Sequence, residues 1–455
     1  MLISINPTTA RVIAEYPEDS PGEINTKISA AGQAFQSWKK TSYEYRADHF
    51  RRLASLLRSR ASALALLMAH EMGKPLGAGE AEIEKCAAAC DFFAASATDF
   101  LKPVSISTEA ASSFVRFDPL GPVLAIMPWN FPFWQFFRFA APALMAGNVA
   151  VLKHAPNVSA CAAAIENFFL DAHFPAGVVT NLRIADNARA QQIVSHPAIA
   201  AVTLTGSERA GMAVAAAAGG SLKKTVMELG GSDPFIVLKD CDVAAVAENA
   251  AEARCINSGQ SCIAAKRFIV EKPILSAFEQ AFAAAMQKRK LGDPTDPATD
   301  LGPLARQDLL DTIADQCRRS VAAGARLLIG GQPLPGPGFF FPPTVLTGVG
   351  PGMPAFDEET FGPVAAVISA DDPQDAVRLA NQTRFGLGAS IWTSHTDSAV
   401  ALAAQLDAGN VFINGMVVSD RRLPFGGVKH SGWGRELSEL GIREFTNIKT
   451  VWIGK

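Results

Sequence analysis

Between Pro21 and about Leu101, apolar residues recur every three or four positions among alanine, glutamate and arginine, the period of helices with one buried face. The pattern breaks at 73–80 (GKPLGAGE). From Phe114 the rhythm changes. Short apolar runs at 114–117 (FVRF), 121–128 (GPVLAIMP), 149–154 (VAVLKH), 178–184 (VVTNLRI), 200–207 (AAVTLTGS), 224–229 (KTVMEL) and 235–238 (FIVL) are separated by Ala-rich helical stretches. Strands alternating with helices predict a doubly wound parallel sheet. A second series follows Cys262, with strands at 268–273, 365–370, 390–394 and 409–415 between helices at 274–289, 305–323, 373–383 and 396–406. Two doubly wound α/β domains account for both series.

Three stretches escape this alternation. The segment 330–344 (GGQPLPGPGFFFPPT) mixes Pro and Gly with aromatics and reads as an ordered surface loop. Residues 103–117, two extended runs around a polar turn, and the terminal TNIKTVWIGK fit neither domain; they are expected to add strands to a neighbouring subunit's sheet.

Composition narrows the function. The 455 residues are 49% hydrophobic, enough for two or three cores. Lys plus Arg number 41 against 44 Asp plus Glu, a net charge of −3, so neither nucleic acid nor an acidic membrane surface is expected as partner. The seven cysteines are odd in number and without metal-ligand spacing, which predicts free thiols and no metal. The N-terminus lacks a signal peptide's basic and apolar regions, and no charge-free run reaches membrane-spanning length. A reduced, cytoplasmic enzyme is expected.

The chemistry lies in Gly-containing loops. Cys262 follows the polar loop Asn257-Ser-Gly-Gln-Ser261, where backbone N–H groups would favour a thiolate. Glu228 ends an apolar strand and runs into Leu229-Gly230-Gly231, at the end of the sheet where such folds put ligands; burial there would raise its pKa toward that of a working base. Asn130, between Trp129 and Phe131 after the strand VLAIMP, either donates to an oxyanion or bonds to its own turn. Lys153 stands at a strand end, and Gly206, Ser207 and Gly211 mark a strand-to-helix junction suited to a phosphate, though not a GxGxxG fingerprint. Glu359 could hold ribose hydroxyls and Phe361 could back a nicotinamide ring; a loop carboxylate and a core phenylalanine are the alternatives.

PWNFP, VLKHAPN, TGS, ELGGSDP, GQSC, EETFGPV and PFGGVKHSGWGRE occur in this order along nearly the whole chain. The sequence resembles the NAD(P)-dependent aldehyde dehydrogenase superfamily. Through KHAPNV, ELGGSDPFIVL, FGPVAA, FINGMVVSD and GRELSELGIREF it is most similar to the short bacterial succinate-semialdehyde dehydrogenases. The resemblance implies Cys262 as nucleophile, Glu228 as base, and Asn130 with the Cys262 backbone N–H as oxyanion hole. It implies that Trp129, Lys153, Gly206, Ser207, Gly211, Leu229, Glu359 and Phe361 bind the dinucleotide, and that Glu436 passes protons.

The implied fold has a Rossmann-type cofactor domain (1–102 and 119–229), a catalytic domain (230–436), and bridging segments (103–118 and 437–455) that pair subunits into dimers or dimers of dimers. Many NAD-preferring relatives carry Glu three residues after the lysine; here Pro156 stands there, so NADP is accepted, with Lys153 and His154 expected to compensate the 2′-phosphate. Arg138, eight residues after Asn130, matches an arginine aimed at a substrate carboxylate, which favours succinate semialdehyde. A second arginine found in some relatives is replaced by Ile256, with Arg254 two positions upstream; Ser419 is the expected substitute contact, ahead of Arg421 and Arg422.

Other chemistries use the same residues. A Cys–His hydrolase or acyltransferase would recruit His154, His196 or His430, and coenzyme A-dependent acylation would use the same cysteine. The first leaves the dinucleotide-like segments without purpose, and Glu228 makes water the favoured acyl acceptor.

Overall fold

The computed structural model describes all 455 residues, the side chain of Asn187 excepted. A six-stranded sheet runs in the spatial order Gly432–Trp433, Lys224–Glu228, Ala201–Thr205, Pro122–Met127, Val149–His154, Val179–Leu182. All neighbours are parallel except the first pair. Val149–His154, Val179–Leu182 and Ala201–Thr205 are buried at every position, as suits a sheet covered by helices on both faces. Pro21–Trp38 and Trp134–Met145 pack against it, the latter contributing buried Phe136, Phe137 and Phe139, and Tyr43–Ser59 and Leu76–Phe100 pack in turn on Trp134–Met145. Pro21–Trp38 starts as its sequence dictates, with Pro21 in the first turn and Ser20 and Glu23 forming a reciprocal capping box.

The seven-stranded sheet is ordered Arg326–Ile329, Thr344–Thr347, Val364–Ala370, Arg267–Glu271, Pro234–Val237, Gly388–Trp392, Asn410–Ile413. Alternation sends Ile236 into one apolar cluster and Phe235 and Val237 into another, one on each face. The Arg326–Ile329 strand, antiparallel to Thr344–Thr347, is not foreseen in the sequence; it is a short, half-exposed edge without alternation. Between these strands lies the expected loop, anchored by buried Phe339 and Phe341.

The last strand, Thr446–Ile453, pairs antiparallel with Ser112–Pro119, which also meets Val104–Ser105, forming a three-stranded sheet within the chain. Two features were not anticipated. Leu2–Asn6 pairs with Arg11–Tyr16, and the chain returns at Gly432–Trp433 to the edge of the six-stranded sheet, beside Glu228. Among the described residues no helix is long and apolar enough to cross a membrane.

Candidate active site

Cys262 sits in a loop that the protein holds from several sides. Asn257, Ser258 and Gly259 all take positive φ (54°, 57° and 77°), a cost for the first two that the surroundings must offset. The fully buried Lys266 ammonium donates to the carbonyls of Ser261 (3.0 Å), Cys262 (2.8 Å) and Ala264 (3.1 Å). Arg254, also buried, donates to Gly259 O at 2.7 Å, and Ser258 Oγ and Gln260 Oε1 accept from the backbone of Gly302 and Ala305. Arg254 therefore supports the loop and is not free for a ligand.

Asn130 joins this loop. Its Nδ2 donates to Gln260 O at 3.0 Å, and Asn257 Nδ2 donates to Asn130 O at 2.7 Å. The expected alternative of a bond within its own turn is not what forms. Asn130 and Cys262 line one cavity of about 250 Å³ together with Trp129, Gln135, Thr205, Gly206, Ser207, Leu229, Glu359 and Phe361. No histidine lines it, so the Cys–His hydrolase has no base here.

Burial pushes the Cys262 thiol up to about 12, against the lowering pull of Arg138 and Lys266. The loop's amides, expected to favour a thiolate, are outweighed by desolvation, which raises the thiol above its ordinary value.

Glu228 is buried at the strand end, and neither carboxyl oxygen has a hydrogen-bond partner. It does not line the cavity but faces Arg138 Nη2 at 3.9 Å. Arg138 is ion-paired through Nε with Glu436 and lies over the Phe425 ring at 4.7 Å. One guanidinium thus serves two buried carboxylates. Burial raises both carboxyls above their usual range in spite of Arg138, so Glu228 holds its proton more tightly than a surface glutamate does. Arg138, expected at a substrate tail, is only 2% exposed and committed to the protein's own carboxylates. Ser419 is buried too; its Oγ accepts from Lys85 Nζ at 2.7 Å and Trp134 Nε1 at 3.0 Å.

The cavity suits a dinucleotide. Ser207 caps the helix Glu208–Gly220, accepting from Ala210 N, so Gly206 and Ser207 bring a helix N-terminus to the wall. Gly211 acts indirectly: a Cβ there would lie 2.5 Å from Leu229 Cδ2, so its bareness admits the Leu229 side chain, which lines the cavity. Lys153 is buried without a hydrogen-bond partner among the described residues, and burial lowers its pKa, leaving an ammonium that gains from hydroxyl or phosphate oxygens. Glu359 accepts from Gly231 N at 3.0 Å, while its neighbour Glu358 is taken by Arg319 at 2.8 and 2.9 Å. Phe361 meets Trp129 edge-on at 5.8 Å, with Arg306 over the Trp129 ring at 5.5 Å.

His154 does not compensate phosphate charge as expected. Its Nε2 bonds Pro132 O at 2.8 Å, its Nδ1 accepts from Ala155 N at 2.9 Å, and burial lowers its pKa to about 4, so the ring is neutral. Pro156 begins the short turn Pro156–Val158 and puts no carboxylate at this strand end.

A family model described as the aldehyde dehydrogenase family matches residues 2–451. The chain belongs to the aldehyde dehydrogenase family. Similar family members include a probable succinate-semialdehyde dehydrogenase [NADP(+)] of Synechocystis, 48% identical over 452 residues and 99% of each chain. Another is the succinate semialdehyde dehydrogenase [NAD(P)+] Sad of Escherichia coli K12, 48% identical over 99% of this chain and 97% of that one. Among solved structures, succinic semialdehyde dehydrogenase from Streptococcus pyogenes in complex with NADP+ superposes with a TM-score of 0.97 at 35% identity, covering 100% of both chains. The fold is that of this family, as the sequence led us to expect.

Two buried or half-buried lysines near the site escaped sequence reading. Lys266 was visible only as part of AAKRFIV; its signal was a lysine and arginine opening a strand whose every position is buried, where charges survive only when fully bonded. Lys85, on the long helix Leu76–Phe100, carried no motif at all.

Proposed function

We propose that this aldehyde dehydrogenase oxidises succinate semialdehyde to succinate with NADP or NAD, NADP being favoured. The observation that carries the reading is one cavity in which Cys262 and Asn130 face Gly206, Ser207, Glu359 and Phe361. Cys262 Sγ gives its proton to solvent and adds to the aldehyde carbon, the C=O π electrons moving onto the oxygen, and the positive charges of Arg138 and Lys266 favour the sulfur anion. Asn130 Nδ2 and the Cys262 N–H hold the oxyanion, the amide being fixed by its bond to Gln260 O. The bound dinucleotide supplies a hydride acceptor, leaving a thioester on Cys262. Glu228 then takes a proton from the water that releases the acid. Its carboxyl oxygens hold no hydrogen bond, so turning the side chain into the cavity breaks none. Glu436, which pairs with the same guanidinium through Nε, is the route by which that proton leaves.

Support for the substrate comes from the relatives' names and from the cluster around Ser419. With NADP, kcat/KM for succinate semialdehyde is expected to exceed that for butanal by at least about tenfold, read as absorbance at 340 nm. Parity or a preference for butanal would refute the substrate.

Support for NADP comes from Pro156 and the unpaired Lys153. Pro156→Glu is expected to raise KM for NADP by about tenfold while sparing NAD, through repulsion of the 2′-phosphate; an unchanged NADP/NAD ratio refutes it.

We also read the chain as a cytoplasmic protein of reduced thiols that forms dimers or dimers of dimers. All seven cysteines are free, and Ile448 and Trp452 on the three-stranded sheet are 62% and 55% exposed, as suits strands that a second copy covers.

A further inference from the structure

The helix Trp134–Met145 starts four residues after Asn130, and all twelve of its residues are buried. Phe133 stands at its N-cap position and offers no side-chain acceptor, so the helix cannot cap itself. The cap comes from Glu82, 51 positions upstream of Phe133 on the helix Leu76–Phe100: its Oε1 accepts from Phe133 N and Trp134 N, both at 2.9 Å. The other Glu82 oxygen pairs with Lys74, and both side chains are buried. Lys74 Nζ in turn lies 3.8 Å from the centroid of the Phe131 ring. One buried ion pair thus grips the turn after Asn130 at Phe131, Phe133 and Trp134, while His154 Nε2 holds Pro132 O between them.

A helix start needs only an acceptor, and a neutral one serves. Burying two charges costs desolvation that their attraction barely returns, so a well-packed apolar pair is often as stable. Stability alone does not call for charge here. What a carboxylate adds is a firmer hold on two backbone N–H groups at the positive end of a helix. Lys74 keeps the sum at zero, so no net negative charge opposes an oxyanion forming near Asn130.

The turn that supplies Lys74 also meets the support of the Cys262 loop. A Cβ on Gly302 would overlap the Gly73 carbonyl, Leu76 N donates to Pro294 O at 3.1 Å, and Gly302 N donates to Ser258 Oγ at 2.9 Å. Both proposed oxyanion donors, Asn130 Nδ2 and the Cys262 N–H, are therefore braced against residues 73–76. Asn130 Nδ2 carries two hydrogens; one is spent on Gln260 O, and the other has no acceptor among the described residues. Where that second hydrogen points is set by the backbone that the ion pair grips.

We propose that Glu82, balanced by Lys74, is a positioning residue of the oxyanion hole: by fixing the start of the helix Trp134–Met145 it aims the second Asn130 Nδ2 hydrogen at the aldehyde oxygen as that oxygen gains charge. The inference rests on the reading above that Asn130 holds the oxyanion. Glu82 needs no contact with substrate, since its effect passes through the backbone of residues 131–134.

The test compares two double variants that both remove the buried ion pair, at saturating NADP and aldehyde. Lys74→Met/Glu82→Gln keeps an oxygen for Phe133 N and Trp134 N, and is expected to lose about threefold in kcat. Lys74→Met/Glu82→Leu keeps none, and is expected to lose about 10²-fold with KM for NADP unchanged, the cost of displacing an oxyanion donor by about an ångström. In an Asn130→Ala background the two double variants should differ by less than about threefold, because the donor to be aimed is gone. Inactivation by iodoacetamide, which alkylates Cys262 without forming an oxyanion, should run at the parental rate in both. If the leucine variant does not fold, Glu82→Asp makes the same comparison: it keeps the charge, draws the carboxylate back by one methylene, and is expected to lose about tenfold in kcat, but not once Asn130 is alanine. A loss that persists in full without Asn130, an equal fall in both double variants, or slowed alkylation would overturn the inference. Parental kcat in every Glu82 variant beside a large loss in Asn130→Ala sinks this inference alone; parental kcat in Asn130→Ala sinks the oxyanion reading with it.

Discussion

Exchanging Cys262 for serine is expected to lower dinucleotide reduction by at least about 10⁴-fold, the loss typical of removing a catalytic nucleophile. A thiol pushed up to about 12 by burial is already a reluctant donor of its proton, and Arg138 and Lys266 are the charges that favour its anion. A serine hydroxyl in the same place gives up its proton far less readily, and no histidine lines the cavity to take it. The loop should survive, since its anchors are the carbonyls of Ser261, Cys262 and Ala264 on Lys266 and none involves the sulfur. Absorbance at 340 nm under saturating aldehyde, with an unchanged Tm, is the check. Parental turnover in the serine variant would remove the basis for the whole mechanism.

Glu228→Gln is expected to divide the reaction in two. If the carboxylate acts on water after the thioester has formed, the first turnover should still deliver a burst of reduced dinucleotide near one per active subunit. Steady-state turnover should fall by about 10²- to 10⁴-fold, the usual contribution of a general base. The fold is expected to persist, because the change leaves Arg138 and Glu436 as a balanced pair. In the wild type the carboxyl is held above its normal range by burial, so turnover should climb as pH rises through that pKa, and the glutamine variant should lose this limb. Stopped-flow absorbance separates the phases. Burst and steady state falling together would move Glu228 to an earlier step, as the base that activates the thiol.

The repeating strands and helices of both sheets were legible because strands buried on two faces are continuously apolar and the helices between them are not. The residues proposed as catalytic were legible for a related reason: a polar or charged side chain inside apolar sequence, as with Asn130 in PWNFP or Glu228 after VM, needs a purpose. Spacing could not reveal which partner each side chain finds. Arg138 lies eight positions from Asn130 whether it faces a substrate or Glu436, and His154 follows Lys153 whether charged or capped on both nitrogens by backbone. The thiol's protonation state depends on burial, which a polar loop sequence does not report. The edge strands at Gly432–Trp433 and Arg326–Ile329 were too short to show a period.

The return of the chain to Glu228 bears on how the molecule is built in time. Ser431 Oγ donates to Gly230 O from 201 positions further along, Leu229 N donates to Ser431 O, and Gly432 pairs with Glu228. Closing so long a loop costs more chain entropy than forming the local strand–helix units, so this edge is expected to be among the last to assemble. Until it does, Glu228, the proposed general base, has no roof, and a half-made chain is expected to have little means to turn over the reactive carbonyl compounds around it.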